Sequence, residues 1–174
     1  MATKNKTKTK VIEKYDYDAI IIGTGPGGEG TAMELSKKEK SVAIVERYKD
    51  VGGGCTHWGT IPSKALRQSV SRLIEYNASP LFRGHEKAKH LTFPDILKHA
   101  SAVIRKQVQL RSGFYDRNRV QLVAGEASFI DAHTLKIAKD DGSVEQITAK
   151  QIVIATGSHP YRPDDIDFNH PRVY

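Results

Sequence analysis

A short apolar run followed by closely spaced glycines is the feature that most constrains how this chain can fold. Residues 17–22 are almost continuously apolar, which is typical of a parallel strand buried on both faces. Gly23, Gly25 and Gly28 follow with the spacing G-x-G-x-x-G, and a helical pattern continues to about Lys38. The order of strand, glycine turn and helix predicts the first part of a βαβ unit.

A second strand completes this unit and ends in an acid. Residues 41–46 predict a strand whose last residue, Glu46, follows the glycines by roughly 20 residues. At that spacing a carboxylate accepts hydrogen bonds from an adenosine ribose, while the glycines bring backbone amides and a helix N-terminus to a pyrophosphate. The pattern predicts a dinucleotide site that fits NAD and FAD equally. Glycines that serve only tight packing are the weaker interpretation, because strand, helix and acid all agree.

A second glycine-rich stretch lies between residues 51 and 66. Its consecutive glycines, 52–54, let the backbone touch a bulky ligand and allow positive φ angles. Pro62 then predicts the start of a helix, because proline in a first turn gives up no hydrogen bond. Cys55 and Lys64 are carried on this loop and helix. The stretch is typical of a flavin site.

The remaining pattern predicts two helices, a loop and several strands. The helices run from Pro62 to residues 77–80 and from Thr92 to about Ser112, the second with Lys98, Arg105, Lys106 and Arg111 on a solvated face. Residues 81–91, with His85 and His90, predict a surface loop, and strands are predicted at 121–124, 127–130, 134–138, 144–148 and 151–155. The predicted fold class is therefore α/β, a doubly wound parallel sheet with a small antiparallel β-meander at about residues 120–150.

Composition and charge narrow the function classes. Of the formal net charge of +7, residues 1–14 contribute +4 through five lysines and one glutamate, and we expect this basic tail to be disordered. Basic residues interleaved with aromatics are not seen beyond it, so nucleic-acid binding is not predicted. The sequence shows neither a signal peptide nor a membrane span, and Cys55 is its one cysteine. We expect a cytoplasmic protein without an internal disulfide or a metal site.

Together these motifs resemble the flavoproteins with two dinucleotide-binding domains, a family that includes lipoamide dehydrogenase and glutathione reductase. The resemblance rests on residues 23–28, Glu46, residues 52–66, residues 125–127 and residues 155–157. It implies a Rossmann-like FAD-binding domain in which Glu46 meets the ribose, Ala127 lies by the adenine and Lys64 lies near flavin N5. The cofactor-binding set that it implies is Gly23, Gly25, Gly28, Glu46, Arg47, Gly53, Gly54, Cys55, Lys64, Ala127, Ala155, Thr156 and Gly157.

One departure from the disulfide reductases of that family points to a subgroup. Those enzymes carry two cysteines five positions apart in the loop, whereas this chain has Cys55 and then Thr60. A hydroxyl cannot take part in thiol exchange. The loop closely resembles that of the soluble pyridine nucleotide transhydrogenases, which implies hydride exchange between NADPH and NAD+ through FAD with no disulfide step. Because the flavin carries that chemistry, no catalytic acid or base is assigned.

The resemblance also sets expectations about the extent of the chain. A second G-x-G-x-x-G is not present in the sequence, so the nicotinamide and dimerisation domains are expected to be absent. We expect an N-terminal part of an FAD-binding domain at residues 15–174, inactive alone, from a protein that forms a homo-oligomer when full length. Two alternatives remain: a stand-alone, non-enzymatic FAD- or nucleotide-binding module, and a disulfide reductase of the lipoamide dehydrogenase type, which Thr60 disfavours.

Overall fold

The computed structural model describes residues 15–84 and 92–172, which form one mixed sheet with helices. The helices are α1 Pro26–Lys37, α2 Gly53–His57, α3 Thr60–Ala78 and α4 Phe93–Arg117, with a 3₁₀ turn at Pro80–Phe82. The strands are β1 Tyr17–Ile22, β2 Val42–Glu46, β3 Gln121–Ala124, β4 Glu126–Phe129, β5 Thr134–Ala138 and β6 Val144–Ile154. The predictions for the basic tail and for His85 and His90 lie outside the described residues.

The centre of the sheet is parallel, as the sequence predicted. The strand order is β3-β2-β1-β6-β5-β4, and β1 pairs in parallel with both β2 and β6. Ile20 and Ile21, which point to opposite faces, are both fully buried. On one face Ile21 and Ile44 pack with Ala32 of α1 and Tyr115 of α4; we call this the helix-side core. The predicted α/β class is confirmed.

The opposite face is covered by the meander. Leu135 and Ile137 of β5 are fully buried and share a cluster with Ile20 and Val45. Apolar side chains therefore fill both faces of the central strands, which explains why residues 17–22 and 42–46 lack polar alternation. The consequence for a site is that only the ends of these strands are accessible.

Three element boundaries differ from the sequence predictions. Residues 121–124 do not belong to the meander, because β3 pairs in parallel with β2. Residues 144–154 form one strand of 11 residues rather than two, since its first half pairs with β5 and its second half with β1. Helix α4 continues past Gly113 to Arg117. That extension buries Tyr115, which offsets a cost of about 1 kcal/mol for glycine in a helix.

Candidate functional site

The glycine turn after β1 is packed against the strand beside it. Gly23 has φ +105°, and a Cβ on it would lie 2.5 Å from the carbonyl oxygen of Ala155. A Cβ on Gly28 would lie 1.9 Å from the carbonyl oxygen of Gly23. These two glycines are thus required by close backbone approach, which brings the N-terminus of α1 against the ends of β1 and β6.

Gly25 differs from its two neighbours in the motif. Its φ of −64° and ψ of 176° are open to any residue, and a Cβ on it would meet no atom of the described residues within 4 Å. It is the N-cap of α1, where the first N–H groups of a helix have no intrahelical partner. The fold itself does not require glycine here, so the open space in front of Gly25 is available to a ligand.

The second glycine stretch meets the first at this point. A Cβ on Gly53, which has φ +60°, would lie 2.8 Å from the Cα of Gly25. Residues 53–57 form the short helix α2 rather than the loop that the sequence predicted, because Gly52 at φ +119° turns the chain into a helical conformation. We call the turn of Gly23, Gly25 and Gly28, together with Gly53, the glycine cradle.

Glu46 is buried beside the cradle and already has partners in the protein. It is 7% exposed, and its Oε2 accepts hydrogen bonds from the Thr24 N–H at 3.1 Å and from the Thr24 hydroxyl. Its Oε1 accepts from the Tyr48 N–H at 3.0 Å. Among the described residues, Oε1 accepts only this one bond and still has acceptor capacity, so a ribose hydroxyl could add to these contacts. Glu46 therefore organises the cradle whether or not a nucleotide is bound.

Thr24 is a site residue that the sequence analysis missed. It is fully buried, and its hydroxyl both donates to Glu46 and accepts from the Gly52 N–H at 2.9 Å. One side chain therefore connects β2, the first glycine turn and the second. The available signal was its place between Gly23 and Gly25, where a small hydroxyl residue can reach the end of the neighbouring strand.

Replacing Glu46 should destabilise the fold strongly. In a Glu46→Ala variant the Thr24 N–H, the Thr24 hydroxyl and the Tyr48 N–H lose their acceptor, and Thr24 is buried away from water. We expect the free energy of unfolding to fall by about 2–4 kcal/mol. Urea unfolding followed by circular dichroism measures this.

The matched control removes an exposed acid. Glu34 pairs with Lys38 on the surface of α1 with 61% of its side chain exposed, and such pairs contribute at most about 0.5 kcal/mol. A Glu34→Ala variant should therefore unfold almost as the wild type does. Equal stability of the two variants would contradict the role given to Glu46.

A cationic and aromatic rim begins directly after Glu46 and contains Arg47, Tyr48, Trp58 and His159. Arg47 Nη2 donates to the Tyr48 hydroxyl at 3.0 Å and lies 3.2 Å from Nε2 of His159. The Tyr48 ring contacts the Trp58 ring edge-on, with centroids 5.4 Å apart, and 54% of Trp58 is exposed. The rim joins residues that follow β2, α2 and β6, and it offers positive charge and ring faces to a ligand.

The last strand brings its own predicted residues to the cradle. The Ala155 N–H donates to the Ile22 carbonyl at 2.9 Å, and the Ala155 carbonyl packs on Gly23. Thr156 Cα lies 3.3 Å from the position of a Cβ on Gly23. Gly157, at φ +74°, has open space around it. All three therefore continue the cradle along the end of the sheet.

Ala127 lies on β4, two residues after a turn that is hydrogen-bonded to Glu46, and Gly54 lies on α2. The Gly125 N–H donates to the Glu46 carbonyl at 2.9 Å, which leads the chain from β3 into β4, where Ala127 pairs with Ile137. A Cβ on Gly54 would lie 3.0 Å from Nε1 of Trp58. Gly54 thus lets the indole of Trp58 lie close to the backbone.

Cys55 and Lys64 lie on α2 and α3. Cys55 is half-buried and has a free thiol, and Thr60 begins α3. Lys64 is exposed and lines an open groove of about 600 Å³ between α3 and Val103 of α4. Among residues 15–84 and 92–172, Lys64 has no acidic side chain within ion-pair distance. The placement of Lys64 next to a flavin ring remains a prediction.

Arg111 is not part of the solvated face that the sequence predicted. Its Nη1 donates to Oε2 of Glu29, which lies in the first turn of α1, and only 14% of the Arg111 side chain is exposed. One turn further along α4, burial raises the pKa of Tyr115, and the neighbouring Glu29 adds to the shift. The tyrosine hydroxyl is thus neutral over the physiological range.

Comparison with known proteins decides the family. The profile of the pyridine nucleotide-disulphide oxidoreductases matches residues 17–171. The chain belongs to this family. Members of the pyridine nucleotide-disulphide oxidoreductase family with similar sequences include a soluble pyridine nucleotide transhydrogenase from Colwellia psychrerythraea, 75% identical over 162 residues. That match covers 93% of the chain and 35% of the relative.

A second curated relative and a solved structure are also similar to the chain. A soluble pyridine nucleotide transhydrogenase from Escherichia coli O1:K1 is 58% identical over 92% of the chain and 34% of the relative. The Cu(II) complex of the HOCl-induced flavoprotein disulfide reductase RclA from Escherichia coli superposes with a TM-score of 0.69 at 24% identity. That superposition covers 85% of the chain and 30% of RclA, and it supports the fold. The chain thus spans about a third of the length of the curated relatives it matches.

Within residues 15–84 and 92–172, no cluster of His, Cys, Asp and Glu is arranged to hold a metal ion. Over the same ranges, no helix has the length and apolar character needed to cross a bilayer. Nucleotide recognition at the cradle is the chemistry that the site geometry supports.

Proposed function

We propose that this chain is the FAD-binding part of an oxidoreductase that transfers hydride from NADPH to NAD+ through flavin. The observation that carries the proposal is the glycine cradle. Gly25 faces open space although the fold does not require glycine there, and the adjacent Thr24 N–H donates to the acid Glu46. The curated relatives named soluble pyridine nucleotide transhydrogenase support the reaction type.

FAD fits the residues that surround the cradle. Unpaired N–H groups at the start of α1 suit a pyrophosphate, and the remaining acceptor capacity of Glu46 Oε1 suits a ribose hydroxyl. The cation of Arg47 and the ring faces of Tyr48 and Trp58 lie at the rim, where they would contact the adenosine half. These contacts would hold the cofactor by groups that are fixed before it binds.

The bound flavin ring would supply the ability to accept a hydride and to return it. The protein would orient the flavin ring and place a positive charge next to it. We propose that Ala155, Thr156 and Gly157 approach the cofactor along the end of β6, that Ala127 lies by the adenine, and that Lys64 steadies the reduced ring with its positive charge. Gly54 and Cys55 would line the ring as parts of α2.

This reaction requires no thiol relay, which separates it from disulfide reduction. Cys55 is the only cysteine in the chain, and Thr60 stands where a second thiol would be needed. We assign nicotinamide binding and the homo-oligomer contacts to the whole protein rather than to these residues. A cytoplasmic location, where both nicotinamide cofactors are available, belongs to the same proposal.

A Cys55→Ser variant tests the reaction in the whole protein. Because hydride passes through the flavin alone, we expect NADPH oxidation to drive reduction of an NAD+ analogue at a rate within about threefold of the wild type. The measurement is the absorbance of the reduced analogue with time. The proposal would be contradicted if the Cys55→Ser variant lost this activity and the wild type also reduced a disulfide substrate.

A further inference from the structure

An acid lies in the first turn of the helix that forms the cradle. Glu29 directly follows Gly28, and its N–H donates to the Gly25 carbonyl at 2.9 Å. A carboxylate at this end stabilises the helix by interacting with its dipole. The same charge repels any other anion that binds the helix N-terminus, and a pyrophosphate is such an anion.

Arg111 of α4 compensates this charge. The Glu29–Arg111 pair is largely removed from water, with 20% and 14% of the two side chains exposed. Solvent screening of such a pair is weaker than at an exposed site, so its charges act over a longer range. The Nε of Arg111 is buried and has no partner in the described protein, so part of its donor capacity is not used by Glu29.

Tyr115 lies beside this ion pair on the buried face of α4. Arg111 and Tyr115 lie one turn apart on α4, and Tyr115 is 1% exposed in the helix-side core. Its neutral hydroxyl lies near Glu29, Arg111 and Glu46, and it cannot compensate either acid. Two carboxylates therefore face this region from α1 and β2, and Arg111 is the cation that α4 contributes.

We propose that Arg111 is a positioning residue for the pyrophosphate of the dinucleotide. It cancels the charge of Glu29, so that the N-terminus of α1 accepts an anion despite an acid in its first turn. The inference rests on the proposed function, because FAD is the ligand whose pyrophosphate would bind there. Arg111 acts through Glu29 and through the field at the helix end.

Three variants separate the charge effect from a tether between α1 and α4. Arg111→Met leaves Glu29 uncompensated, and we expect the dissociation constant for FAD to rise by on the order of tenfold. Glu29→Gln leaves the arginine cation in place, so FAD should bind at least as tightly as to the wild type. The double variant should recover the affinity to within about twofold of the wild type. If the Glu29–Arg111 ion pair served only to hold α1 against α4, all three variants would bind FAD weakly.

The readout is FAD binding by fluorescence titration at two salt concentrations, with circular dichroism of the apo-protein as a check on folding. The charge account predicts that the Arg111→Met deficit shrinks as salt rises and that Arg111→Lys retains most of the affinity. If Arg111→Met does not fold, Glu29→Gln still decides between the two accounts. Weak binding by Glu29→Gln or by the double variant overturns the inference.

ADP, titrated in parallel, separates this inference from the proposed function. ADP carries the same pyrophosphate without the flavin ring. If the chain binds ADP with the predicted dependence on Arg111 but does not bind FAD, the proposed function fails and the inference stands. If the wild type binds FAD and the double variant does not recover, the inference alone fails. A wild type that binds neither ligand overturns both.

Discussion

A Gly28→Val variant is expected not to reach the native fold. A Cβ at this position would lie 1.9 Å from the carbonyl oxygen of Gly23, and that oxygen belongs to the backbone. Relief would need α1 to move away from β1, which would open the helix-side core around Ala32 and Ile21. We expect the free energy of unfolding to fall by about 3 kcal/mol or more, a large part of the stability of a domain of this size.

The matched control is a second glycine in the same helix. A Cβ on Gly30 would meet no atom within 4 Å in the part of the chain that the structure describes, so Gly30→Val introduces the same side chain without a clash. Valine also has a slightly higher helix propensity than glycine. Circular dichroism and urea unfolding should show a Gly30→Val protein at least as stable as the wild type. A Gly28→Val protein of wild-type stability would contradict the packing of α1 on β1.

A Gly25→Val variant is expected to fold normally and to lose FAD binding. The backbone at Gly25 lies in the extended region, which valine readily adopts, and no atom of residues 15–84 and 92–172 lies within 4 Å of the Cβ position. The valine side chain would instead occupy the space in front of the α1 N-terminus. We expect the affinity for FAD to fall by on the order of a hundredfold, because the pyrophosphate could no longer approach the backbone amides.

Gly25→Val and Gly28→Val together separate two uses of glycine in one motif. The first should change binding with a loss of stability of at most about 1 kcal/mol from valine at the N-cap, and the second should change stability much more. The Gly30→Val protein serves as the control for both, since it adds a valine to α1 outside the turn. Titration with FAD gives the affinities and urea unfolding gives the stabilities. A Gly25→Val protein that binds FAD as the wild type does would place the ligand elsewhere.

Sequence patterns predicted the parallel centre of the sheet because a strand that is buried on both faces is apolar throughout, and this pattern is easily recognised. The strands at residues 17–22 and 42–46 are apolar throughout, and glycines at fixed spacing specify the turn between β1 and α1. By contrast, periodicity could not show that β3 pairs with β2 or that β6 is continuous. Those features depend on pairing between segments far apart in the chain.

The polar contacts of the site were the least predictable part. Arg111 resembles the other basic residues of α4 in sequence, and only the approach of α4 to α1 brings it to Glu29. Thr24 gave no strong signal, because its partners Glu46 and Gly52 come from separate segments. The end of α4 was missed because Gly113 weakens a helix locally, whereas burial of Tyr115 stabilises it.

The most direct test of the central claim is a titration of the purified chain with FAD, followed by flavin absorbance and by quenching of flavin fluorescence. The glycine cradle predicts saturation at one FAD per chain, displacement of the flavin by excess ADP, and much weaker binding of FMN, which lacks the adenosine half. Binding of FMN as tight as that of FAD, or an absence of saturable FAD binding, would contradict the account.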